Sequence, residues 1–138
     1  MRIIKFRGKV KYNGNHKFSG DWIYGYYRSN ENGNAFITET LDEMDNYIFD
    51  ETEIDENTVG QFTGLHDKNG KEIYEGDIVK ATYEFENNET SSEIGVVKNK
   101  IHKFILENRQ KYEFEIEYFD YLEVIGNVWD NPELLERS

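Results

Sequence analysis

Residues 57–79 read NTVGQFTGLHDKNGKEIYEGDIV, and they decide the fold. TVGQF (58–62) is β-branched and aromatic around one glycine, which favours a strand. LHDKNGKEIY (65–74) then sets Asp67-Lys68-Asn69-Gly70 between two apolar ends. Asn-Gly is the strongest short signal for a β-hairpin, because the central positions of a type I′ turn need positive φ. Glu75-Gly76-Asp77 makes a second turn, and DIVKATYEFE (77–86) continues as a strand with Ile78, Ala81 or Tyr83, and Phe85 contributing apolar groups. Strands joined by tight turns commit the segment to antiparallel β structure. Gly60, Gly64, Gly70 and Gly76 punctuate it. They could cradle a ligand, but glycine is also the least costly residue at positive φ. With Asp67 and Asn69 they are read as a structural turn motif.

Towards the C-terminus the pattern repeats. After the polar link NNETSSE come EIGVVKN, HKFILEN, YEFEIEY and LEVIGNVW, short β-branched or aromatic runs separated by small polar links. That spacing predicts a meander or small barrel. Residues 112–118 alternate strictly, Tyr112, Phe114, Ile116 and Tyr118 against Glu113, Glu115 and Glu117, so one side is expected buried and the other a carboxylate row in water. Asn131-Pro132 predicts a short final helix over Pro132–Arg137, capped by Asp130 or Asn131.

Towards the N-terminus IIKFRG reads as a first strand with Ile3 and Ile4 at its start, followed by the turn-rich link KYNGNHKFSG (11–20). WIYGYYR (22–28) is a second strand, in which Gly25 marks a bulge or a close backbone approach. SNENGN (29–34) is a loop, AFIT (35–38) and NYIF (46–49) are short strands, and LDEMD (41–45) has room for one helical turn. The fold class is therefore mostly β, a meander or small barrel with a short C-terminal helix. A chain of 138 residues fits a single domain, 1–138, divisible into two β modules, 1–60 and 76–138, joined by the hairpin segment 61–75.

Composition narrows the chemistry. There is no cysteine, so disulfides, thiolate metal sites and cysteine nucleophiles are excluded. The formal net charge is −12, from 16 basic and 28 acidic residues. Such a surface repels phosphate backbones, and no direct nucleic-acid binding is expected. No apolar run reaches the ~20 residues of a membrane helix. The start, MRIIKFRGKV, has charges inside its apolar part and is not expected to act as a signal peptide. A cytoplasmic location and no membrane association follow as expectations. Residues 1–20 carry Arg2, Lys5, Arg7, Lys9, Lys11 and Lys17 and no acid, whereas 39–57 carry nine acids and no base. Both runs read as solvated faces, with mutual pairing, within a chain or between subunits, as the other reading.

Nothing in the sequence marks a catalytic, cofactor or metal site. His16, His66 and His102 lie in separate regions without the spacing of a metal site. Asp67–Gly70 lacks the ligand spacing of a calcium loop. With 28 acids, close carboxylate pairs arise by chance, and no nucleophile elbow, phosphate loop or dinucleotide fingerprint occurs. Trp22, Tyr24 and Tyr26 share one face of their strand, with Tyr27 on the other. They could stack a sugar or a base, but tyrosine and tryptophan are commonest at cores and subunit interfaces, so this trio is read as a candidate interface.

The opening MRIIKFRG, the central TVGQFTGLHDKNGKEIYEGDIV and the tail VIGNVWDNPELLE, in that order, resemble the YopX family of bacteriophage proteins. The resemblance implies a phage or prophage protein acting in a bacterial cytoplasm. It implies a β-rich fold with SH3-like small-barrel character in the second half, and homo-oligomeric assembly. It implies no activity and supplies no catalytic residues. The expected function is a non-enzymatic accessory protein that binds itself and an unknown host or phage protein. The alternatives are an acidic DNA mimic that blocks a host DNA-binding protein, motivated by the charge, and a carboxylate- or metal-dependent hydrolase.

Overall fold

A computed structural model of the chain describes residues 4–11, 20–39 and 51–136. The expected strand at NYIF, the helical turn at LDEMD, most of the 11–20 link, Ile3, His16, Arg137 and much of the acidic run lie outside the described residues. The chain divides into two compact units, Met1–Phe62 and Thr63–Ser138.

The first unit is one antiparallel sheet. It contains β1 (Phe6–Lys9), β2 (Trp22–Ser29), β3 (Ala35–Thr38), β4 (Glu51–Ile54) and the start of β5 (Gly60–His66). They lie in the order β4-β3-β2-β1-β5. The register sets Lys9 opposite Trp22, Arg28 opposite Phe36, and Ala35 opposite Ile54. Alternation then sends Ile23, Ala35, Ile37 and Ile54 to one side, where with Val10 they form the core against Phe6 and Val59. Each large aliphatic side chain buried there contributes about 1.5–3 kcal/mol. Gly25 marks a close backbone approach, because a β-carbon there would overlap the Thr38 carbonyl. β4 falls inside the acidic run: Thr52 and Ile54 turn inward while Glu51 and Glu53 face outward. A single 3-10 turn at Glu56–Thr58, with the Asp55 carboxylate accepting the Asn57 amide at 3.0 Å, delays the next strand to Gly60.

The second unit takes the rest of β5, then β6 (Glu72–Tyr74), β7 (Asp77–Glu84), β8 (Thr90–Lys100), β9 (Lys103–Asn108), β10 (Glu113–Glu115) and β11 (Tyr121–Asn127). β7 to β11 form a sheet in the order β10-β9-β8-β7-β11, a meander with β11 added on its far side. The sheet is open, with β10 and β11 at its edges, and does not close into a barrel. β10 stops after three residues at a 3-10 turn, Ile116–Tyr118, so no pairing completes a ring. Val79, Ala81, Val97 and Leu106 from the sheet, Ile73 from β6 and Ile116 from the turn make the core.

That turn changes the reading of residues 112–118. The alternation holds for β10, where Phe114 is half-buried, and Ile116 is fully packed. Tyr112 and Tyr118 are exposed, because neither lies in the three-residue strand. The carboxylate row does face water, with Glu113, Glu115 and Glu117 all exposed, and lysines meet two of the three. Lys100 holds Glu113, Lys103 holds Glu115 at 2.9 Å, and Lys98 holds Glu107 at 2.8 Å. The lysine hydrogen bond keeps Glu107 below the usual carboxylate range, overriding the opposing effect of burial. The C-terminal helix is a 3-10 turn, Pro132–Leu135, shorter than expected. The Asn131 carboxamide does not cap it but accepts the Asn127 amide at 3.2 Å.

The β8–β9 hairpin is joined by Ile101 and His102, both in the left-handed region at φ 49° and 64°. The sequence reading counts His102 as the start of a strand. A two-residue loop of this kind favours Asn-Gly, and a β-branched residue at positive φ is strained by about 1–2 kcal/mol. Ile101→Asn combined with His102→Gly is therefore expected to raise stability by about 1–2 kcal/mol. Urea unfolding should show a higher midpoint at unchanged slope; an unchanged or lower midpoint contradicts the turn geometry.

Candidate functional site

Two surfaces collect the residues singled out by sequence. The first is the outward face of β1–β2–β3. Tyr24 and Tyr26 stand on it, 42% and 62% exposed, while Trp22 is half-buried. The register explains the neighbours. Arg7 lies opposite Tyr24 and Lys9 opposite Trp22, so both cations share the face. The Arg7 guanidinium sits 4.6 Å from the Trp22 ring centre and the Lys9 ammonium 5.5 Å from it. At the other end Arg28 stacks on Phe36 at 4.8 Å and forms a two-pronged ion pair with Glu51, at 2.7 and 2.8 Å. That hydrogen bond holds Glu51 below the usual carboxylate range and raises Arg28. Tyr27 points the other way, towards Phe6, with ring centres 5.3 Å apart. The surface is thus a strip of aromatic rings clamped between cations. Arg28 and Phe36 belong to it, and the sequence reading missed them. Their cross-strand pairing was the missing information, since it fixes which side chains of separate strands become neighbours.

The second is the turn motif. Gly64, Gly70 and Gly76 have positive φ, at 86°, 84° and 92°. Gly60 does not turn the chain; it is buried in β5, opposite Arg7 of β1. At the β5–β6 tip only Gly70, not Asn69, enters the left-handed region, so the turn is not the type I′ form that Asn-Gly suggests. Asp67 is the organising residue. It is buried, its Oδ1 accepts the Asn69 and Lys71 amides at 2.9 Å each, and its Oδ2 accepts the Val124 amide of β11 at 3.0 Å. The Lys68 amide also donates to the Leu122 carbonyl, at 2.8 Å. Burial pushes the Asp67 carboxyl up, but the amides of Val124, Lys71 and Asn69 outweigh it and hold the group below its ordinary range. The hairpin is therefore pinned to β11.

The family model of YopX protein matches residues 5–136, nearly the whole chain. The chain belongs to the YopX family. No curated protein matches it. In this YopX-family chain the central and tail stretches carry the turn motif and most of the edge strand β11 to which that motif is tied. His66 and His102 are exposed and lie at the end of β5 and in the β8–β9 turn. Among the described residues no three histidine or carboxylate side chains are grouped to hold a metal ion. No helix among them is long and apolar enough to cross a membrane.

Proposed function

We propose that this YopX-family protein is a non-enzymatic phage or prophage accessory factor of the bacterial cytoplasm, one that assembles with itself and binds a host or phage protein. The observation that carries the reading is the outward strip of Tyr24, Tyr26, Phe36 and Arg28 on β2 and β3. Tyrosine, phenylalanine and arginine are the residue types enriched in protein interfaces, where large apolar area and a few directed polar contacts combine. Two of the described acids of the 39–57 run lend little to a DNA mimic, which needs unneutralised carboxylates. Glu51 is bound by Arg28, and Lys11 lies 3.7 Å from Glu53.

Sedimentation velocity tests the assembly. The protein at tens of micromolar is expected to sediment as a dimer or larger species, and Tyr24→Glu with Tyr26→Glu to reduce it to the monomer without changing its circular dichroism. A wild-type monomer at that concentration, or an oligomer indifferent to both substitutions, overturns the reading.

A further inference from the structure

The far end of β7 carries a different surface, in which aromatic rings meet carboxylates that no lysine neutralises. Tyr83 lies on the same side of β7 as Val79 and Ala81, and Phe85 follows one residue past the end of the strand. The core ends at Ala81, and the rings beyond it are covered only in part. Tyr118, from the 3-10 turn, stacks on Tyr83 with ring centres 5.1 Å apart and planes within 13°. Phe85 meets Tyr83 edge-on at 5.0 Å. Phe85 remains 47% exposed and Tyr118 61% exposed. Tyr83, Phe85, Glu86, Asn87 and Glu89 line an open depression of about 560 Å³. Its wall is fixed by the β7–β8 turn, where the Phe85 amide donates to the Glu89 carbonyl at 2.8 Å and Asn88 takes φ 67°.

The charges here contrast with the rest of the unit. Glu107, Glu113, Glu115 and Glu123 each hold a lysine. Among the described residues no lysine or arginine pairs with Glu86, Glu89 or Glu117. Between Ala81 and Val97 every charged residue is an acid. An aromatic floor with acidic walls attracts a cation twice: through the ring faces and through the carboxylates.

We infer that this depression receives an arginine side chain from a basic segment of a partner protein. Arginine suits it because a planar guanidinium stacks on a ring while its edge donates to a carboxylate. A basic partner segment is the occupant the charges favour, since every charged residue between Ala81 and Val97 is an acid. The surface is separate from the Tyr24–Tyr26 strip and does not depend on self-association.

The test is calorimetric titration of the full chain with a peptide of three Arg-Gly repeats, and with the same peptide carrying neutral citrulline for arginine. The arginine peptide is expected to bind, and citrulline to weaken it about tenfold or more. Phe85→Ala with Tyr118→Ala should weaken binding about fivefold, and so should Glu86→Gln with Glu89→Gln, whose residues are exposed. Glu133→Gln with Glu136→Gln, the same charge change outside the depression, should leave affinity within about twofold. No binding, indifference to the depression variants, or an equal loss from the Glu133 and Glu136 pair would overturn the assignment.

Discussion

Gly76→Ala is expected to lower stability by about 2–4 kcal/mol, a large effect for adding one methyl group. Two costs combine. Gly76 sits at φ 92°, where an L-residue is strained by about 1–2 kcal/mol. A β-carbon there would also overlap the Trp129 ring, which must then leave its place. The backbone cannot shift to relieve this. The Gly76 amide donates to the Val97 carbonyl at 2.8 Å and its carbonyl accepts the Val128 amide at 3.0 Å, so the turn is held from β8 and from the C-terminal segment at once. A double-mutant cycle separates the costs. In a Trp129→Ala background the same substitution should cost only the backbone part, about 1–2 kcal/mol. Guanidinium unfolding reads both. A full-sized effect that persists without the indole would show that the contact with Trp129 is irrelevant.

Asp67→Ala is expected to cost about 3 kcal/mol, because three backbone amides lose their acceptor and the Val124 amide is left in a partly buried place. Asp67→Asn should cost less. One carboxamide oxygen can still serve Asn69 and Lys71, while its NH2 faces the Val124 donor. The sign of the pH dependence follows from the depressed folded pKa. The unfolded chain takes up the proton first as pH falls, so the carboxylate's contribution is complete above the ordinary aspartate value near 3.8 and is lost as pH drops through the folded value below it. The gap in melting temperature between wild type and Asp67→Ala should therefore be constant from pH 7 to about 5 and narrow below about 4. A gap that widens in acid would mean that the carboxylate is not the acceptor described.

How much of this was legible in sequence depends on the range of the interaction. The β5–β6 hairpin, β2, β3 and the meander of β7 to β9 follow from local alternation and from glycines that must turn, and residue patterns announce both. The Asp67–Val124 bond joins residues 57 apart, and no local pattern signals it. The same limit hid the β8–β9 turn, where tertiary pairing forces Ile101 and His102 into a conformation their own preferences oppose. It hid β4 as well, where Thr52 and Ile54 supply the inward face of a segment that composition presents as acid. The alternation at 112–118 misled for another reason: period-two spacing continues through Tyr118, but the backbone leaves the strand after Glu115. For the candidate surfaces, Trp22, Tyr24 and Tyr26 could be placed on one face by parity alone. Arg28, Phe36 and Glu51 could not, because a surface built across strands leaves no fixed spacing in the chain.

The most direct measurement places a photo-reactive benzoyl-phenylalanine at Tyr26 in the purified chain, with the same group at exposed Asn32 as the control. Irradiation at tens of micromolar is predicted to yield a covalent species of twice the chain mass from position 26 and little from position 32. Monomer alone from position 26, or equal yields from both, would contradict an interface on the β2 face.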